Sequence, residues 1–102
     1  MMKVIWRFNL ATGVDEREFF AWLRCNVWAS SAEFGCRTTA FRIEGEDAGH
    51  AFSTEATWSI DEARTAWQAS SGFAGIPNYP GSDSPWGAQT DLQMCVYREV
   101  VT

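Results

Sequence analysis

Between Thr57 and Trp67 the chain carries the pattern of a strand that runs straight into a capped helix. Ser59 stands as an N-cap, where its hydroxyl would accept from the free N–H groups of the first turn, and Glu62 three residues on completes an S-x-x-E capping box. Ala63, Ala66, Trp67 and Ser70 then share one helical face, and Gly72 is placed to end the helix as a C′ glycine. Trp58 and Trp67, one at each end of the junction, put more aromatic bulk there than a generic strand–helix corner needs.

The rest of the pattern is built around this junction. Val4, Trp6, Phe8 and Leu10 alternate with Lys3, Ile5, Arg7 and Asn9, which predicts a first strand with one apolar face. Gly13 turns the chain. Asp15 and Glu18 then make an N-cap and N3 pair, with Val14 and Phe19 at the hydrophobic-staple positions. The predicted helix has an apolar stripe of Phe19, Phe20, Leu23 and Val27, widened by Trp22 and Trp28, and Asn26 lies among those aromatics. It ends by Gly35. Residues 36–43 alternate as a second strand, Gly45 to Gly49 makes a polar connection, and residues 51–58 form a third strand. After the second helix the stretch 72–90, rich in Gly, Pro and Ser, reads as a long loop, and Leu92, Met94 and Val96 mark a last strand. The order is β-α-β-β-α-β, an α+β, ferredoxin-like arrangement with an antiparallel sheet, spanning residues 1–102 as one domain.

Composition narrows the function. Of 102 residues 46% are apolar and 15% aromatic, with six tryptophans, more bulk than one small core hides, so a pocket or a second subunit is expected to take up the excess. The net charge of −5, with no Lys/Arg cluster, argues against nucleic-acid partners, which require basic side chains against phosphates. Cys25, Cys36 and Cys95 are odd in number and widely spaced; they are expected to be reduced, buried and consistent with the cytoplasm. Arg7 interrupts the first strand where a signal peptide would be unbroken, and no run is apolar enough for a membrane span. No Ser-His-Asp set, phosphate-cradling glycine loop, H-E-x-x-H or EF-hand pattern occurs, and one histidine with three isolated cysteines predicts no metal site.

Two segments carry a family resemblance. Phe34-Gly35-Cys36-Arg37 is similar to the helix-to-strand glycine turn of the dimeric α+β barrel proteins, and Glu55 to Ala63 resembles their strand-end tryptophan, cap and second helix. Within that group the chain resembles the antibiotic-biosynthesis-monooxygenase-like members. The resemblance implies two subunits joining their sheets into a barrel, a homodimer, with a pocket between sheet and helices in each. Such proteins include cofactor-independent oxygenases of phenols, heme-degrading enzymes and small isomerases. Trp67 is similar to a tryptophan that heme-degrading members set against the porphyrin. However, the positions of their axial histidine and first-strand asparagine fall at Pro77 and Trp6, so the resemblance implies no heme and no other cofactor.

The expected function is therefore a small-molecule pocket protein like the cofactor-independent monooxygenases, acting on an aromatic or apolar ligand; the alternative is a non-catalytic binder on the same scaffold. A bound phenol must lose a proton and pass electrons to oxygen in a site shielded from water. The candidate ligand residues are Trp6, Trp22, Asn26, Trp67, Phe73 and Tyr79, each open to a plain packing role as well. His50, Asn26 and Asn9 are the weak catalytic candidates, with His50 equally at home in an exposed turn. Arg7 is expected to pair with a carboxylate such as Glu55. Tyr79 and Trp86 suggest that the long loop covers something.

Overall fold

The structure, a computed structural model, describes residues 1–45 and 49–100. Strand β1 (Met2–Leu10) leads into a helix that begins with α1 (Glu16–Leu23), passes through a π-helical segment (Arg24–Trp28) and closes as α2 (Ala29–Ala32). Strands β2 (Arg37–Arg42) and β3 (Phe52–Trp58) follow, then α3 (Asp61–Gln68), the single turn α4 (Ser71–Ala74) and strand β4 (Gln89–Arg98). The strands lie in the order β2-β3-β1-β4, every neighbouring pair antiparallel. This is the ferredoxin-like α+β arrangement that the residue pattern predicts. At 17 Å in its thinnest dimension, the molecule has room for one sheet and one helical layer only.

Alternation along β1 decides which face the helices cover. Val4 and Phe8 are almost wholly buried, Phe8 against Phe19 of α1 and Phe52 of β3. The opposite face carries Ile5, Phe41, Cys95 and Tyr97, aligned by register, and none of the described elements lies over it. Phe41 and Tyr97 are 48% and 53% exposed there. Arg7 is also on that face, but Glu55 gives its carboxylate to Lys3 at 3.6 Å, so the expected Arg7–Glu55 pair is not formed. Lys3 sits diagonally across from Glu55 and its longer, flexible stem reaches it.

The two helix starts differ. Asp15 caps α1 as its D-x-x-E pattern predicts, its carboxylate accepting from the Glu18 N–H at 2.9 Å. At α3 the cap is Ile60, extended at φ −141°, with no side-chain cap bond. The helix starts one residue later than the S-x-x-E pattern implies, so Ser59 is outside it and Glu62 lies at N2, too early to complete the box. Asp61 and Glu62 stabilise this start through the helix dipole instead, and Asp61 also pairs with Arg98 of β4.

Gly35, at φ +83°, ends the first helix in the left-handed conformation as expected, and Cys36 N–H closes back on the Ser31 carbonyl at 3.3 Å. Gly72 does not end the second. That helix stops at Ala69, and Ser70 caps α4, which contains Gly72. The Gly/Pro-rich stretch is anchored as well as irregular: Ile76, Tyr79 and Ala88 are core residues, and Ala11 N–H donates to the Ala88 carbonyl at 2.8 Å. Of the three free cysteines only Cys36 is buried; Cys95 lies on the uncovered sheet face and Cys25 on the outer side of the π-helical segment. Residues 46–48 of the predicted polar connection lie outside the described residues.

Candidate ligand-binding site

A cavity of about 310 Å³ lies between the sheet and the helices. Val4 and Trp6 of β1, Thr54, Ala56 and Trp58 of β3 and Thr38 of β2 floor it; Leu23, Val27, Trp28 and Ser31 come down from the first helix. Arg64, Trp67 and Gln68 of α3 form one side, and Phe73, Trp86, Gln89 and Leu92 complete the rim. Five of the six tryptophans touch it. The volume is at the small end of ligand sites, which run from about 300 to 1,000 Å³.

Local structure explains why this space stays open. Ala63 and Ala66 flank Trp67 on α3, so one large ring has only small neighbours along its helix. The ring is nevertheless held. Its Nε1–H donates to the Ser30 hydroxyl at 2.5 Å, Trp58 lies tilted against it at 5.6 Å, and Phe73 meets it edge-on at 4.9 Å. The indole therefore does not stand alone over the sheet, as its helical neighbours alone would imply; partners from three other elements fix it. The π-helical segment adds a residue to one turn of the first helix, and the side chains on either side of that turn, Leu23, Val27 and Trp28, all reach the cavity.

Of the residues picked out from sequence, Trp6, Trp67 and Phe73 line the cavity. Trp22, Asn26 and Tyr79 lie outside its lining. Tyr79 is buried in the core, with Trp22 edge-on to it at 5.3 Å and Phe19 at 5.9 Å. Burial raises the Tyr79 phenol above its ordinary 10.0, and the charges of Glu18 and Asp15 raise it further. Asn26 turns its amide back along its own helix to the Trp22 carbonyl at 2.9 Å. Asn9 and His50 sit together at the far end of the sheet. The Asn9 amide donates to Gly49 O at 3.1 Å and Asp91 Oδ2 at 3.0 Å and accepts from Ala51 N at 2.8 Å, while His50 Nε2 meets the Asp91 carbonyl at 2.8 Å. These bonds tie β1, β3 and a β4 irregularity at Asp91, φ +54°, to one another.

Sequence reasoning did not single out Arg64 or Gln68, the polar residues of α3 at the cavity. Their spacing was the available signal, since residues three and four apart share a helix face and both flank Trp67. Titratable side chains at the cavity are few. Arg64 is half-buried, and the Glu55 carboxylate points to Lys3 on the other face of the sheet. The lining holds no histidine, cysteine or methionine to ligate a heme iron, and Pro77 is exposed beside it. Heme does not fit this donor set.

The chain matches no protein-family model and no curated protein. Among solved structures it is similar over its whole length to several small proteins. One is a dabb family protein with a ferredoxin-like fold from Mesorhizobium loti, with a TM-score of 0.72 at 13% identity, covering 98% of this chain and 97% of that one. A second is a variant of SnoaB, a cofactor-independent oxygenase from Streptomyces nogalater, with a TM-score of 0.65 at 19% identity, covering 99% and 94%. A third is a variant of MhuD bearing two manganese protoporphyrin IX molecules in each active site, with a TM-score of 0.63 at 15% identity, covering 100% and 97%. The chain thus has the fold of the dimeric α+β barrel proteins, the fold to which its residue pattern points. No helix among the described residues is long and apolar enough to cross a membrane.

Proposed function

We propose that this chain is a small-molecule pocket protein that takes a flat, mainly apolar ligand between its sheet and its helices, and that it acts on phenolic or other aromatic substrates without a cofactor. The cavity carries this reading: five tryptophans and Phe73 line a space of about 310 Å³, which is room withheld from the core. A well-packed interior has few voids larger than a water, so a hollow of this size walled by rings is a site built for another ring. SnoaB, a cofactor-independent oxygenase on the same fold, supports the catalytic half of the proposal.

The lining itself favours a second reading, a non-catalytic binder, because it offers no imidazole, thiol or free carboxylate to act as a base. Oxygen uptake separates the two. Purified protein mixed with a naphthohydroquinone is expected to consume dioxygen faster than the buffer control. Tryptophan quenching without added uptake would make it a binder, and neither signal would remove the pocket from consideration.

We also propose a cytoplasmic homodimer joined through the uncovered sheet face. Ile5, Phe41, Cys95 and Tyr97 would then be covered, along with the Lys3–Glu55 pair. Light scattering at micromolar protein should give twice the chain mass, and a monomer mass would overturn this.

A further inference from the structure

The polar groups around the cavity are mostly donors. Arg64, Gln68 and Gln89 all present N–H groups, and Ser31, Thr38 and Thr54 present hydroxyls. Carboxylates near Arg64 are occupied or turned outward. Asp61, one turn before it on α3, pairs with Arg98; Glu62 is exposed; Glu55 pairs with Lys3 across the sheet. Among the described residues no carboxylate lies within ion-pair distance of Arg64. A guanidinium half-buried beside indole rings, in a protein whose net charge is −5, is a local exception to the field around it.

We propose that the ligand of this cavity carries an oxyanion, a carboxylate or an ionised phenol attached to its ring, and that Arg64 binds that group with Gln68 one turn further along α3. The proposal rests on the pocket reading above and names the chemistry of its ligand. An arginine is suited to it, since its fork of N–H donors fits a planar oxyanion and it never gives up its charge. The low-dielectric wall of rings strengthens the attraction compared with water.

The same contact accounts for a cavity without a base. When a phenol binds, its O–H bond breaks, the electron pair stays on the oxygen against Arg64, and the proton leaves to water. A neighbouring positive charge lowers the pKa of an acid, so the protein need not hold the proton itself. Arg64 is in this scheme a binding residue, not a proton acceptor.

Titration by tryptophan fluorescence with naphthoate and with naphthalene tests the idea, on the unaltered protein and on Arg64→Gln and Arg64→Lys. The unaltered protein should bind naphthoate at least about tenfold more tightly than naphthalene, Arg64→Gln should lose that preference while holding naphthalene within about twofold, and Arg64→Lys should keep part of it. Nitrophenol, whose anion is yellow, distinguishes the two sources of the oxyanion. A larger ionised fraction when bound, absent in Arg64→Gln, assigns a phenolate; no change beside a naphthoate preference assigns a carboxylate. Naphthalene binding as tightly as naphthoate would overturn the oxyanion and leave the pocket standing, as would Arg64→Gln weakening both ligands alike. Failure of both ligands to bind would remove the pocket and this inference together.

Discussion

Under α1 the rings of Phe8, Phe19, Phe20 and Phe52 meet one another at centroid separations of 5.0 to 5.9 Å, whereas under α3 no residue of the helix itself is buried. The two helices lie on the same face of the same sheet and are related by the fold's own pseudo-symmetry, yet only one closes over its core. The first offers Phe19, Leu23 and Val27 in successive turns; the second offers Ala63, Ala66 and a single Trp67. Two buried clusters result, one around Phe8 and Phe19 and a smaller one around Met2, Val4, Cys36 and Trp58. Trp6 and Trp67 pack against both, so the cavity runs along the seam between them. In this molecule a hollow arises where one of two equivalent helices gives up its bulk.

The strongest test of that contrast is Phe19→Ala. Phe19 is 1% exposed in a closed cluster, and its loss should cost about 3–5 kcal/mol in chemical denaturation, as full truncations of buried aromatics do. Trp67→Ala should cost less, about 2 kcal/mol, because the ring is half-buried and already borders empty space, and it should weaken ligand binding beyond that loss. Equal costs for the two variants would mean the seam is packed as tightly as the core. At the helix starts the difference is smaller: Asp15→Ala should destabilise by about 1 kcal/mol and Ser59→Ala by no more than about 0.3 kcal/mol, since only the first side chain caps a helix.

The weakest effect concerns pH. Burial raises the Cys36 thiol above its ordinary 9.0, although bonds to Ser31 and to the Thr57 backbone pull the other way. The unfolded chain therefore releases this proton first, so the stabilisation is complete below pH 9.0 and is lost as pH rises through the raised value. Tyr79 contributes in the same direction from 10.0 upward, so the smaller cluster should feel alkali before the larger one. Denaturation midpoints should fall more steeply just above pH 9.0 in the unaltered protein than in Cys36→Ala. Parallel profiles would show that the thiol ionises as freely folded as unfolded.

The element order was legible because period-two and helical patterns are laid down over six or more residues, and tertiary contacts reinforce them. Asp15 was legible because the staple and the cap agree. Ser59 misled because S-x-x-E is a pattern of four residues, and the chain leaves β3 still extended through Ile60, shifting the helix by one. Trp6, Trp67 and Phe73 at the cavity followed from strand alternation and helix phase. Tyr79 did not, because a residue in an irregular stretch has no period to show its direction; its ring goes into the core. Arg64 escaped notice because a charged residue on a short helix is normally a solvated one, and only the placement of Trp67 beside it reveals otherwise.

The π-helical turn from Arg24 to Trp28 amounts to a helix holding one residue more than an α-helix of the same span. Each residue advances an α-helix by about 100°, so the turn sets the angular phase of everything after it. Ser30, which receives the Trp67 indole, and Ser31, which floats at the cavity roof, both lie beyond it. A one-codon deletion there would leave both helix ends and their apolar stripe intact up to Leu23 and swing those two serines away from their partners. The difference between a hollow domain and a solid one of the same fold can therefore be the length of a gene by three nucleotides.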